Sequence, residues 1–461
     1  MTDFTSKNKA ALEGTLHVVK LEGAADCDGF EKIETRVKDS PTAAVHHESR
    51  SVLLHSKYDP IKEAERWAES SKAGKNKAVF VFGLGLGYHI EALLRIRADV
   101  EKIYVVEVNP GVIKAAFSVR DLEGLLSDER VKILAGQYPQ IHDDVGAAIQ
   151  EAVEVAGGNP EILIHIPSYE LMPKDSGELQ GMVEYIRLAT SGKEVFKKEK
   201  EENTAANLES FASARGVKEL FGAYAGKPMI VAASGPSLTA SLAVIAASGV
   251  HLDITVVDSA LAPFRRAGVR PKFVVSGDPQ NRAGALFKGI EIEDEQLIFF
   301  PSSSPEVVRL FAPEARWAAC SDVVKEEVKF DEEYDKGLLY FSGTVLLGAV
   351  DFAVKSGASP IVLIGCDFAF TEGATHAEGS LVQGYNRRYG ALREVEGLDG
   401  KPVKTSDVFY LYMRDLEHYY MARREKITLF NATESGAAVY HVPRIKLARF
   451  LEEYSRINNE G

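Results

Sequence analysis

The fold turns on one stretch, K-P-M-I-V-A-A-S-G-P-S-L-T-A, Lys227 to Ala240. Met229 to Ala233 is an apolar run of the length of a fully buried strand and too short for a helix of its own. Ser234-Gly235-Pro236-Ser237 breaks it, and Leu238 opens an amphipathic pattern that continues to Ala247. Strand, tight glycine/proline turn and helix are how α/β folds present a phosphate to backbone N–H groups. The plainer reading is a βα junction with an N-capping serine. Neighbouring segments bear on the choice.

Downstream, strands are expected at Leu252–Val257, Phe273–Val275, Leu297–Phe300 and Ile361–Ile364. Helices are expected around Pro263–Ala267 and Ser342–Gly357. Such alternation predicts a mostly parallel sheet. Its strand ends carry Ser234, Asp258, Asp278, Ser302 and Asp367, where open α/β sheets hold ligands. Each could equally be a cap or turn residue. Beyond Asp367 runs A-F-T-E-G-A-T-H-A-E-G, a loop in which His376, flanked by Glu372 and Glu378, is a general-base candidate by its near-neutral titration.

Upstream, H-S-K-Y-D-P from His55 precedes a helix with Ile61, Ala64 and Trp67 inward. A second glycine turn follows a strand in A-V-F-V-F-G-L-G-L-G-Y-H, with Gly83, Gly85 and Gly87. Lys102–Val108, Val131–Ala135 and Glu161–Ile166 read as further strands. Glu107 falls where an acid holds a ribose in dinucleotide or methyl-donor folds, although such scaffolds keep this geometry without a ligand. Between the halves, F-K-K-E-K-E-E-N-T-A-A-N-L-E reads as a solvated connecting helix.

The reading is therefore two Rossmann-like three-layer α/β units with mostly parallel sheets, plus a helical C-terminal region. The expected boundaries are 1–195, 196–380 and 381–461. In the last part, a helix is expected over Leu411–Glu425, a short strand or loop at Leu429–Val439, and an amphipathic helix at Arg444–Tyr454.

A net charge of −13 speaks against a general nucleic-acid binder. Cys27, Cys320 and Cys366 have no metal spacing and cannot all pair, which fits a reducing compartment. There is no apolar segment of a secretory signal at the N-terminus and no apolar run long enough to span a bilayer, so a cytoplasmic protein is expected.

The motifs H-S-K-Y-D-P, F-G-L-G-L-G-Y-H, A-A-S-G-P-S-L, S-G-D-P, L-I-G-C-D-F-A-F-T-E-G-A-T-H-A-E-G and N-A-T-E-S-G-A resemble the motility-associated factor (Maf) glycosyltransferases, from about His55 to Val439. That resemblance implies transfer of a nonulosonic acid of pseudaminic or legionaminic type to serines and threonines of flagellin. The central part is similar to bacterial sialyltransferases using a CMP-activated sugar. It implies that Ser234, Gly235, Pro236, Ser237, Asp258, Asp278, Ser342 and Gly343 hold the donor. His376 matches the Maf-type T-H-A-x-G loop and is not positioned like the sialyltransferase catalytic histidine; it is expected to act as base, with Asp367 stabilising the charge that develops on the sugar. Ser234, Asp258 and Asp278 stand where the sialyltransferase pattern has asparagine. Acids near a phosphate require either contacts to ribose and base or a bridging Mg²⁺. No other metal and no certain cofactor is implied.

Archaeal 6-hydroxymethylpterin diphosphokinases, which use ATP with Mg²⁺, share the central domain and are the runner-up. A non-catalytic flagellin-binding protein, and a methyltransferase acting through Gly83–Gly87 and Glu107, are the remaining alternatives.

Overall fold

The computed structural model describes residues 3–20, 29–47, 50–69, 71, 76–157, 160–173, 176, 179–183, 196–371, 373–381 and 392–454. Cys27 and Glu372 lie outside the described residues. The chain forms two compact units, Met1–Arg187 and Leu188–Gly461.

In the first unit, five parallel strands lie in the order Val18–Val19, Val131–Ala135, Lys102–Glu107, Ala78–Phe82, Glu161–Ile164. Alternate residues of the strand Ala78–Phe82 enter two separate cores. Val79 and Val81 join the core with Ile90, Leu93, Val112 and Ile113 of the helices Tyr88–Ile96 and Pro110–Val119. Ala78, Phe80 and Phe82 join another with Ile141, Val145 and Ala148 of the helix Tyr138–Ala156. A sheet covered on both faces reads as continuous apolar runs, which is why these strands are plain in the sequence. An antiparallel sheet of Phe30–Ile33, Thr42–His47 and Arg50–Leu53, unmarked by any sequence signal used above, adds to the unit.

The second unit carries eight parallel strands in the order Leu429–Asn431, Ile361–Ile364, Met229–Ala232, Asp253–Val257, Phe273–Ser276, Gln296–Phe299, Arg316–Ala318, Arg215–Gly216. Both units are thus α/β with parallel sheets. From Met229–Ala232 the chain builds outward through 253, 273, 296 and 316 on one side, and returns to 361 and 429 on the other. The switch in strand order therefore falls between Met229–Ala232 and Ile361–Ile364, which is where such sheets open a crevice.

The region from 381 onward, expected as a separate helical part, contributes the edge strand Leu429–Asn431 to this sheet. It also holds a hairpin, Leu392–Glu396 with Pro402–Ser406, and the helices Asp407–Met421 and Leu447–Tyr454.

The expected solvated helix is Lys197–Ser213, and one of its stripes is not solvated: Asn203, Asn207 and Phe211 are buried. Asn203 donates to the carbonyls of Pro279 and Ser302 at 2.6 and 3.1 Å, and Asn207 to those of Pro301 and Ser303 at 3.0 and 2.7 Å. Two amides four residues apart on one helix face thus grip two strand-end loops.

Candidate functional site

At the switch point the turn Ser234–Ser237 meets Gly365–Phe368. Gly235 N–H donates to the Gly365 carbonyl at 2.8 Å. A Cβ on Gly235 would lie 2.1 Å from Asp367 Oδ2 and 2.6 Å from that carbonyl, so only glycine fits. Asp367, 1% exposed, accepts from Ser237 N at 3.0 Å, Ser237 Oγ at 2.7 Å and Ser435 Oγ at 2.9 Å. Burial raises its pKa above the ordinary aspartate value, while these donors pull the other way.

This corrects the expected phosphate cradle. Ser237 N–H is taken by Asp367, Leu238 N–H by the Gly235 carbonyl at 3.0 Å, and Thr239 N–H by that of Pro236 at 3.3 Å. The anion at the start of the helix Leu238–Ser248 is the chain's own carboxylate.

The motif N-A-T-E-S-G-A closes this corner. Thr433 Oγ1 accepts from Cys366 N at 3.0 Å, and Ala437 N donates to the Asp367 carbonyl at 2.8 Å. Gly436 has φ +104°, and a Cβ there would meet that carbonyl at 2.3 Å. The last two motifs of the series are therefore spatial partners.

The loop carrying His376 lies across the turn. Ala377 N donates to the Ser234 carbonyl at 2.8 Å, Glu378 N to Thr239 Oγ1 at 3.1 Å, and Ser380 Oγ to the Ser259 carbonyl at 3.4 Å. His376 is buried, with Nδ1 2.9 Å from Thr375 Oγ1 and its ring edge-on to Phe409. Ser234 and Ser259 share a hydroxyl–hydroxyl bond of 2.8 Å. Ser234, Gly235, Ser237, Asp367 and the His376 loop are therefore brought together.

The remaining residues are distributed along the same edge. Asp258, buried, accepts from Ser259 N at 2.7 Å and Ser276 Oγ at 2.8 Å. Ser303 Oγ donates to the Ser276 carbonyl at 2.8 Å, and Ser304 N to the Asp278 carbonyl at 3.1 Å. Asp278 holds its own turn through Gln280 N at 2.9 Å and Gln280 Nε2 at 3.3 Å. Ser342 Oγ turns to Asp415 at 3.1 Å on the helix Asp407–Met421, and Gly343 is exposed at φ +115°. Gly277 is where the Phe341 ring passes: a Cβ would lie 2.4 Å from it.

The three acids do not meet. Among the described residues, the group of three His, Cys, Asp or Glu side chains near enough to share an ion is His55, His89 and His165, in the first unit. The bridging Mg²⁺ thus finds no converging donor set among Asp258, Asp278 and Asp367.

Two groups escaped the sequence reading. Asn203 and Asn207 are one. Glu327 is the other: it accepts from Ser321 N at 2.8 Å, reaches Ser302, and is pushed up to about 7 by burial. Neither sits in a motif, and only the i, i+4 spacing of the two asparagines on a charged helix hinted at an inward polar stripe.

The glycine turn of the first unit is closed as well. Its N–H groups go to Val106 O (Gly83, 2.8 Å), Glu107 Oε2 (Leu84, 3.0 Å), Ser168 Oγ (Gly85, 3.3 Å), His55 Nε2 (Leu86, 3.0 Å) and Leu84 O (Gly87, 2.9 Å). Glu107 also accepts from Asn109 N at 3.0 Å, and burial pushes it up to about 7. The acid expected on a ribose is spent on the loop, and the backbone offers a phosphate nothing.

His55 and His165 fill the space a Cβ on Gly85 would need, each 2.7 Å away. The ligating atoms of the three histidines lie within 4.8 Å of one another. His89 and His165 nevertheless stack at 4.3 Å with planes 9° apart. A ring nitrogen's lone pair lies in its ring plane, and two parallel offset planes share no point for an ion. As arranged, the trio braces the loop. His89 Nε2, 3.0 Å from the Gly83 carbonyl, must carry the hydrogen, so Nδ1 is a buried acceptor with no partner among the described residues.

In an open parallel sheet such as the second unit's, ligands lie at the switch point, here covered by a histidine-bearing loop. Residues 18–140 match the family model described as the glycosyltransferase Maf N-terminal domain, and residues 202–373 that described as 6-hydroxymethylpterin diphosphokinase MptE-like. The first of these models describes the family that the sequence motifs resemble. No curated protein matches its sequence. The solved structure of a Maf glycosyltransferase from Magnetospirillum magneticum AMB-1 aligns with 92% of this chain and 74% of that one, at 15% identity and a TM-score of 0.49. Among the described residues, no helix is long and apolar enough to cross a membrane.

Proposed function

We propose that this chain transfers a nonulosonic acid from a CMP-activated donor to serine or threonine hydroxyls of flagellin in the cytoplasm. The observation carrying the reading is the His376 loop hydrogen-bonded across the Ser234 turn at the switch point, in a chain whose first domain matches a Maf glycosyltransferase model. The donor lies along the strand ends, with Asp258 and Asp278 toward ribose and base and Ser342–Gly343 at the far side. The acceptor oxygen attacks the anomeric carbon, the bond from that carbon to the CMP phosphate breaks, and His376 takes the hydroxyl proton. General-base help of this kind contributes about 10²–10⁴-fold. With its oxygens engaged by Ser237 and Ser435, Asp367 acts as a positioning residue that holds the turn against the loop.

The test is the mass of flagellin co-expressed with this protein and a nonulosonic-acid pathway. His376→Ala should bind CMP as the unaltered chain does and leave flagellin unmodified. A mass shift persisting in that variant removes His376 as the base, and no shift with the unaltered protein sinks the reading.

A second reading is an ATP-dependent diphosphokinase acting on a hydroxymethylpterin-like alcohol, favoured by the match over residues 202–373. Thermal stabilisation by ATP with Mg²⁺ but not by CMP would select it, since a ligand specific to the native state raises Tm.

A further inference from the structure

We propose that the phosphate of the nucleotide-sugar donor binds beneath Lys200, over the loops that follow the strands Phe273–Ser276 and Gln296–Phe299, and not at the Ser234–Leu238 turn. The inference rests on the donor reading above. An anion at this edge needs donors or positive charge. The turn has already spent the N–H groups of Gly235, Ser237, Leu238 and Thr239 on the chain itself. Asp367 at the turn and Asp258 beside it supply charge of the wrong sign, whereas Asp278, on the first of the two loops, is engaged by its own Gln280.

The helix Lys197–Ser213 supplies the right one. Positions 200, 203, 207 and 211 form one stripe at helical spacing. Phe211 is buried in the core, Asn207 grips the backbone at Pro301 and Ser303, and Asn203 grips it at Pro279 and Ser302. Lys200 is the next residue along that stripe, exposed, and three residues from an asparagine bonded to both loops. Its ammonium makes no hydrogen bond or ion pair with a described residue, yet lies near enough to Glu327 to favour that carboxylate's charged form.

Polar groups surround the same place. Glu327 reaches Ser302, and the Ser304 hydroxyl is fully buried with no partner among the described residues. An ammonium on a helix pinned by two amides is a pre-positioned phosphate contact, because the cost of ordering the helix is met by Asn203 and Asn207 before any ligand arrives.

Titration calorimetry of the full chain with CMP and with cytidine tests this directly, since the pair differs by the phosphate alone. The unaltered protein should prefer CMP by tenfold or more, on the order expected for a charge-assisted contact. Lys200→Ala should weaken CMP by about tenfold and leave cytidine unchanged, and Lys200→Arg should keep most of the preference. An unchanged urea midpoint shows that the exposed substitution left the fold intact. CMP bound as tightly by Lys200→Ala as by the unaltered chain overturns the assignment and leaves the donor reading standing. Failure of the unaltered chain to bind CMP at all overturns both.

Discussion

Mild acid should destabilise the first unit, and the slope can be worked from four groups. Burial lowers His55, takes His89 down to about 3 and holds His165 well below its ordinary 6.5. In the unfolded chain each titrates near 6.5, so each takes up a proton on unfolding once the pH is below that value. Stability of this kind is complete above the unfolded pKa and drains away as the pH falls toward the folded one. Glu107 has the opposite sign. Burial raises it from 4.5 to about 7, so the folded unit holds a proton that unfolding releases between those values. Its contribution is present at the acid end and is lost as the pH rises through 7.

Between about pH 6 and 5, His89 and His165 each gain and Glu107 loses a proton on unfolding, and the lowered His55 adds to the uptake, so the net is about one proton or more. At about 1.4 kcal/mol per proton per pH unit, stability should fall by at least roughly 1.4 kcal/mol for each unit of acidification. His17, which burial also lowers, adds in the same direction. Trp67 reads the transition, its ring edge-on to His89 at 4.8 Å. The other of the chain's two tryptophans, Trp317, lies in the second unit, so Trp317→Phe leaves Trp67 as the sole indole. Urea titrations followed by its fluorescence from pH 7.5 to 5 give the slope. His89→Gln, which cannot titrate, should flatten it by about one proton. A midpoint that does not move with pH, or a slope the same in His89→Gln, refutes the reasoning.

Gly235→Ala should destabilise the second unit by about 2–3 kcal/mol, since the new methyl must displace Asp367; a calorimetric Tm matching the unaltered chain would count against the packing described. In Asn207→Ala the Pro301 and Ser303 carbonyls lose their donor, at a cost of about 2–3 kcal/mol that the gain of roughly 0.5 kcal/mol in helix propensity does not offset. Denaturant unfolding measures that loss, and a change under 0.5 kcal/mol would show that the grip is decorative. Asp367→Asn separates positioning from chemistry: loss of charge-assisted bonds should lower stability by about 1.5–3 kcal/mol. An inactive Asp367→Asn protein of unaltered stability would instead return Asp367 to the reacting atoms.

The parallel strands were legible because both faces are buried. M-I-V-A, D-I-T-V-V and I-V-L-I are apolar at nearly every position, and no partner need be known to see them. The strand Arg316–Ala318 has three residues and no pattern to find. At the site, residue type was visible but employment was not. Asp367 is engaged by Ser237 and Ser435, 130 and 68 positions away, and the Gly83–Gly87 loop by His55 and Ser168, 31 and 83 positions away. A glycine turn with free N–H groups and one already saturated have the same spelling. The same limit hid Asn203 and Asn207, because a helix that turns amides inward leaves no hydrophobic stripe to detect.

The edge position of Leu429–Asn431 has a consequence for the order of events during synthesis. I-V-L-I at 361–364 is made 68 residues before the strand that covers its outer side. At about 5–20 residues per second the ribosome leaves that apolar edge bare for roughly 3–14 s. An uncovered edge of this kind invites pairing with another nascent chain. Over the same interval Asp367 waits for Ser435 and the backbone of Ala437. The corner on which the His376 loop rests is thus among the last parts of the protein to set, and a ribosome stalled short of residue 429 would release a chain with every strand-end acid in place and no finished site.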